Sequence, residues 1–262
     1  MQREVRFAAL VSVGRHPITG RARRAEYDAR AVELALSSTD AAQVSLIHAG
    51  EDASESLGAL RSYIGMGLAS LDLLRQPPGA DVVPALEARL RELAPQVVLC
   101  GARSETGEAS GMLPFLLAER LGWPVVSGLA AIESIDADSM TVLQALPRGQ
   151  RRRLKVRLPA IATVDAAAKS ARQSALGPAR RGAIRLIEEA VVEDTAAATW
   201  SVAPARKRPK RLKIIKAASA RDRFKAAAAK AEGGGGQVIS GVPADAAAQV
   251  VLKLLREEGV LR

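Results

Sequence analysis

The stretch VVLCGARSETGEASGMLPFLLAERLGWPVVSG, residues 97–128, holds the residue types best placed to do chemistry. An apolar run leads into Gly101, Ser104, Gly107, Ser110 and Gly111. A helix then runs from about Met112 to a Gly-Trp-Pro stop. Backbone N–H groups and short hydroxyls at a helix start suit a phosphate. The same order also marks any turn of an α/β chain, with Ser110 acting only as a helix cap. Other chemistry is sparse. Two histidines, His16 and His48, and one cysteine, Cys100, argue against a His/Cys metal site, and a single cysteine excludes internal disulfides. No carboxylate pair stands out for acid–base work, and no His-centred triad can be assembled.

The elements that must position this loop follow from hydrophobic patterning. Residues 4–14 read as a first buried strand, and residues 23–38 as an amphipathic helix with Tyr27, Ala31, Leu34 and Ala35 at helical spacing. A second strand ends at Gly50, and a helix closes at Met66-Gly67. LASLDLLRQ has the length and apolarity of a short third strand. DVVPALEARLREL is a helix with Asp81 as N-cap, and VVLCG is another buried strand. This β-α alternation with apolar strands predicts a mainly parallel sheet covered by helices. After the Gly-Trp-Pro turn, MTVLQAL and RRLKVRLPAIATV read as the strands of a hairpin around PRGQ. Leu154, Val156 and Leu158 alternate with Arg153, Lys155 and Arg157, a basic face read as solvated. Residues 165–184 read as a long polar loop, and residues 244–262 as a capped amphipathic helix with Val250, Val251, Leu254 and Leu255 on one side.

A chain of 262 residues fits one large α/β unit with an appendage. We set the boundary at 1–195 for the α/β domain and 196–262 for a C-terminal arm with a basic, Ala- and Gly-rich insert. The formal net charge is +10, but ten Lys or Arg and one acid fall between residues 206 and 225. The basic character therefore belongs to one segment, and the rest is nearly neutral. No apolar run approaches the roughly 20 residues of a membrane span. The N-terminus reads as lacking a signal peptide, so a cytoplasmic location and no membrane insertion are expected.

Several stretches, in order, resemble the β subunit of electron transfer flavoprotein. VSVGRHPIT is similar to that family's first strand and loop, with Val13, Pro17 and Thr19 matching. AEYDARAVELAL resembles its Asn-Pro-Tyr-Asp-Glu helix start, and YIGMGLASLDLL its Ala-Met-Gly-Ala-Asp turn. LKVRLPAIATVD resembles its Leu-Pro-Ala-Val-Val-Thr-Val-Asp strand, and ISGVP with the following helix its ending. The resemblance spans about 250 residues. It implies an adenine-nucleotide alpha-hydrolase-like fold with Rossmann-type layering, a β-hairpin and an extended arm wrapping a partner α subunit. It also implies an electron carrier rather than an enzyme with its own substrate. FAD would be held mainly by the α subunit, electrons would arrive from a flavin dehydrogenase, and they would leave towards a membrane quinone oxidoreductase or another acceptor.

Site residues follow by the same resemblance. Arg15 and His16 sit on a loop that faces the flavin, where positive charge would stabilise the anionic reduced ring. Ser12, Tyr27, Asp28 and Ser56, with the Gly101–Gly111 loop, match positions that line a buried AMP. Against this, Ala25-Glu26 replaces Asn-Pro, Gly14, Arg15 and Ile18 replace Lys, Gln and Asp, and Met112 stands where a Gln is usual. Retention and loss of AMP both stay open. Leu176 matches the leucine inserted into partner dehydrogenases, with Arg172, Arg180 and Arg181 beside it to steer an acidic partner. RPKRLKII in the basic segment matches the arm along the α subunit. An alternative class is an adenine-nucleotide or nucleic-acid binding module using that segment. Its aromatics, Phe224 and nearby Trp200, give few stacking platforms for bases, so no nucleic-acid partner is expected.

Overall fold

The computed structural model describes residues 5–201 and 240–257, together with Ala203, Ser219 and Arg221. Met1–Ser201 forms one compact unit and Val202–Arg262 a second.

The first unit is built on a nine-stranded sheet. Its strands are β1 (Phe7–Leu10), β4 (Val44–Gly50), β5 (Ser70–Arg75), β6 (Val97–Gly101), β7 (Val125–Ile135), β8 (Ser139–Ala145), β9 (Arg151–Arg157), β10 (Ala160–Val164) and β11 (Ala183–Ile187). They lie in the order β11-β5-β4-β1-β6-β10-β7-β8-β9. Pairing is parallel from β11 to β7, and antiparallel across β7-β8 and β8-β9. A separate two-stranded ribbon pairs β2 (Val13–Arg15) with β3 (Ala22–Arg24).

Central strands are apolar on both faces because helices cover both. Phe7 and Ala9 of β1 pack with α1 (Glu26–Ser38) and α2 (Ser54–Ile64), through Ala31, Val32, Leu60 and Tyr63. Ala8 and Leu10 face the other way, against α3 (Val82–Leu93) and α4 (Leu113–Leu121), through Val83, Leu86 and Leu117. The alternation along β1 thus assigns each residue to one layer. Asp81 caps α3 as its spacing predicts, its Oδ1 accepting the Val83 N–H at 2.9 Å. Gly122 ends α4 at φ 68°, and the Trp123 N–H reaches back to the Ala118 carbonyl at 3.0 Å.

Four expectations are corrected. Residues 4–14 do not form one strand. β1 stops at Leu10, and Val13–Arg15 peels away to pair with Ala22–Arg24, so the predicted helix loses its first residues to β3. Strand β7 lies where no element was expected, because VVSGLAAIESI carries two register shifts against β8 and so lacks a clean alternation. The second hairpin strand divides at Leu158-Pro159. Proline has no N–H for a ladder, and the alternating RRRLKVR and the fully buried AIATV belong to different neighbours. The polar 165–184 stretch contains α5 (Leu176–Arg181) and the start of β11, both too short to leave a period.

Strand β11 pairs with β5, packs Ile184 and Ile187 against the two faces of the core, and is held by charge as well. Asp72 on β5 is fully buried and accepts from Arg89 of α3 at 2.6 Å and from Arg185 of β11 at 2.7 Å. In the second unit, α6 (Ala244–Glu257) has Val250, Val251 and Leu254 exposed. The basic 206–225 segment lies outside the described residues apart from Ser219 and Arg221, so the readings made on it stay expectations. Among the described residues no helix is long and apolar enough to cross a membrane.

Candidate functional site

Strand order fixes where a ligand crevice falls. From β1 the chain crosses to β4 and β5 on one side, then returns through α3 to β6 on the other side of β1. The carboxyl ends of β1 and β6 therefore form the switch point at which open α/β sheets leave a crevice. Ser12, Tyr27, Asp28, Gly101 and the loop after β6 all converge there.

Asp28 spans the crevice. Its Oδ1 accepts the Gly101 N–H at 2.9 Å, and its Oδ2 accepts the Ser12 N–H at 2.7 Å and also the Ser12 hydroxyl. Burial raises its carboxyl to about 6, outweighing the hydrogen bonds from Ser12 and Gly101, which favour the charged form. A Cβ on Gly101 would stand 2.3 Å from Asp28 Oδ1 and 2.9 Å from Tyr27 Cβ, so only glycine permits this approach. Tyr63, fully buried on α2, completes the network. Its hydroxyl donates to the Ser12 carbonyl at 2.8 Å and accepts the Ala25 N–H at 2.8 Å. Desolvation, and then the Asp28 charge, push the Tyr63 phenol well above its ordinary value.

The loop after β6 turns inward on itself. Ser104 donates to the Thr106 carbonyl at 2.8 Å, and Thr106 donates to the Val13 carbonyl at 2.9 Å. Ser110 Oγ accepts the Met112 N–H at 3.2 Å. Gly107 and Gly111 have φ of 72° and 75°, in the left-handed region. Glu105 reaches out of this loop. Its carboxylate accepts from the Glu26 N–H at 2.8 Å, the Arg15 N–H at 3.2 Å and the Arg23 guanidinium at 2.9 Å. Ser56 lies half-buried in the first turn of α2, whose Glu55 accepts the Ala22 N–H at 3.0 Å.

Arg15 and His16 lie on the exposed β2–β3 ribbon. The His16 Nδ1 accepts N–H groups from Ile18 and Thr19 at 3.3 and 3.2 Å, leaving the ring proton on Nε2. Leu176 opens α5 with 67% of its surface exposed. Arg172, Arg180 and Arg181 are all exposed, but among the described residues Arg172 alone of the three is engaged by a carboxylate of this chain. The Arg172 guanidinium and N–H bind Glu33 of α1 at 2.6 to 3.1 Å.

Tyr63, Arg23 and Thr106 carry this architecture and had no role in the sequence reading. Tyr63 sits in an apolar helical stripe with nothing to mark its hydroxyl. Among the described residues, no group of three or more His, Cys, Asp or Glu side chains is placed to hold a metal ion.

Comparison with known proteins gives this geometry a family. Residues 19–192 match the Electron transfer flavoprotein domain. The chain is also 63% identical over 253 residues to the electron transfer flavoprotein subunit beta of Chromohalobacter salexigens, covering 97% of this chain and 94% of that one. The chain belongs to the electron transfer flavoprotein β-subunit family. Membership agrees with the mostly parallel, helix-covered sheet. It makes electron transport the process to which this chain belongs.

Proposed function

We propose that this chain is the small subunit of a heterodimer that carries electrons on FAD. In this reading it takes them from a flavin dehydrogenase and passes them to a quinone oxidoreductase or similar acceptor, in the cytoplasm. The observation that carries the reading is the likeness to a β subunit along almost the whole chain. Two surface features agree with it. Met112, Phe115 and Leu116 are exposed at helical spacing on α4, and Val250, Val251 and Leu254 on α6. Such apolar sides suit a permanent companion chain.

FAD, when bound, supplies the redox chemistry. The β2–β3 ribbon has the chemistry to border it: Arg15 brings positive charge, and His16 presents an Nε2–H donor. In this reading the chain contributes placement, exclusion of water and docking rather than bond-making. Leu176 is the docking anchor. One leucine side chain buried on encounter supplies roughly 1.5–3 kcal/mol, enough for a brief, oriented contact. The exposed Arg180 and Arg181 steer an acidic donor towards it. The 1–195 α/β domain would do the docking, and the 196–262 arm would clasp the α subunit.

Co-expression with the matching α chain should yield a yellow heterodimer. A colourless monomer that ignores the α chain would overturn the reading.

A further inference from the structure

Membership of this family implies an AMP in the small subunit, and the switch-point crevice is where the fold would put one. The residues present do not fit that ligand. An incoming phosphate needs free N–H donors or cationic groups, and the chain's own carboxylates already hold those of Ser12, Arg15, Arg23, Glu26 and Gly101 at this crevice. The Ser12 and Gly101 N–H groups end on Asp28. The N–H of Glu26, in the first turn of α1, and that of Arg15 end on Glu105, as does the Arg23 guanidinium. A helix N-terminus with an adjacent arginine is an anion site by construction, and here a carboxylate from the same chain sits on it. The Ser104 hydroxyl donates within the loop and the Thr106 hydroxyl to the Val13 carbonyl, while Ser110 Oγ accepts the Met112 N–H. None of the buried side-chain atoms left unpaired among the described residues belongs to these groups.

We propose that Glu105 is the resident anion of this crevice, and that the subunit folds and works without a bound AMP. The inference rests on the β-subunit reading above. Glu105 ties the loop after β6 to the β2–β3 ribbon and to the start of α1, the three segments a buried nucleotide would otherwise bridge. Tethered by one loop, its carboxylate has an effective concentration on the order of millimolar or more at those donors. A free monophosphate would have to displace it. The phosphate would also have to sit beside the Asp28 and Glu105 carboxylates, and like charges repel.

The test is acid release and chromatography of small molecules from the purified heterodimer, counting FAD and AMP in one extract. FAD near one per heterodimer with AMP below about a tenth is expected. AMP near one per heterodimer overturns this inference, whatever the FAD count, while absence of FAD counts against the heterodimer reading instead. In parallel, the thermal midpoint of the heterodimer is measured with and without added AMP or inorganic phosphate. Ligand at a hundred times its Kd raises a midpoint by several degrees, so 1 mM AMP should leave the wild type within about 1 °C. The E105Q variant should have a lower midpoint and recover part of the loss in millimolar phosphate. A wild type that responds to AMP, or an E105Q variant with an unchanged midpoint, would sink the proposal. The extract count on the wild type decides the matter even if E105Q does not accumulate.

Discussion

Replacing Asp28 by Asn tests the crevice through its pH dependence. The Asp28 carboxyl is raised from 3.8 to about 6, first because burial disfavours the charge. That shift of about two units is worth ~3 kcal/mol at 1.36 kcal/mol per unit. The folded chain holds the proton more tightly than the unfolded chain. Stability from this group is therefore fully present below about pH 4 and is lost as pH rises through about 6. From pH 5 to 8 the loss amounts to about 1.4 kcal/mol of the ~3 kcal/mol total. Asn does not titrate. It keeps an oxygen for the Gly101 N–H but turns an amide towards the Ser12 N–H, a cost of about 1–3 kcal/mol that does not vary with pH. Urea unfolding by circular dichroism, at one fixed heterodimer concentration, should show the wild type's advantage over D28N shrinking by about 1.4 kcal/mol between pH 5 and 8. An advantage that stays constant, or grows with pH, would refute the assignment of a buried, charge-disfavoured carboxyl.

Other changes separate structural from docking roles. L176A should lower kcat/KM for the donor dehydrogenase roughly ten- to a hundredfold, since a buried leucine is worth ~1.5–3 kcal/mol. Because Leu176 is exposed, its thermal midpoint should move by no more than about 1 °C. R172M should instead cost stability, about 1–2 kcal/mol at pH 7, because it leaves Glu33, whose side chain is 5% exposed, with Ser37 and the more distant Lys169 as its side-chain partners. Burial pushes the Glu33 carboxyl up, but the Arg172 hydrogen bonds and charge outweigh it and hold it low. The pair's contribution is thus present above the ordinary carboxylate range and fades as pH falls, so the R172M deficit should narrow towards pH 4 in chemical denaturation. G101A should destabilise by at least ~2 kcal/mol in the same assay, since its Cβ meets Asp28 and Tyr27 inside contact distance. Replacing Arg180 and Arg181 together by Gln should slow reduction by the donor at low salt, and the gap should close near 0.5 M salt as screening removes steering.

The parallel core was legible because its strands are short apolar runs set between helical periods. VSLIHAG and VVLCG read as strands from their apolar runs, whereas AIATV reads only as the end of a hairpin strand. The edges were not legible. Strand β11 is short, and its Arg185 meets Asp72 on the neighbouring β5, a pairing over 113 residues that no local pattern reveals. The break at Pro159 was present in the sequence but masked by continuous apolar character on both sides. For the site, glycines and serines marked the loop after β6 correctly as a turn before a helix. What occupies that turn depended on Glu105 meeting Arg23 and the first turn of α1, a contact made only once the chain folds. Arg172, grouped with Arg180 and Arg181 by proximity in sequence, is engaged by a carboxylate on α1.

The central claim is that this chain docks and places a flavin it does not work without. The most direct measurement is stopped-flow reduction of the co-purified heterodimer by its donor dehydrogenase and substrate, followed by the loss of visible flavin absorbance. The account predicts complete bleaching in the heterodimer and none with this chain alone. A heterodimer whose flavin the donor leaves oxidised, or a lone chain that turns over a substrate of its own, would contradict it.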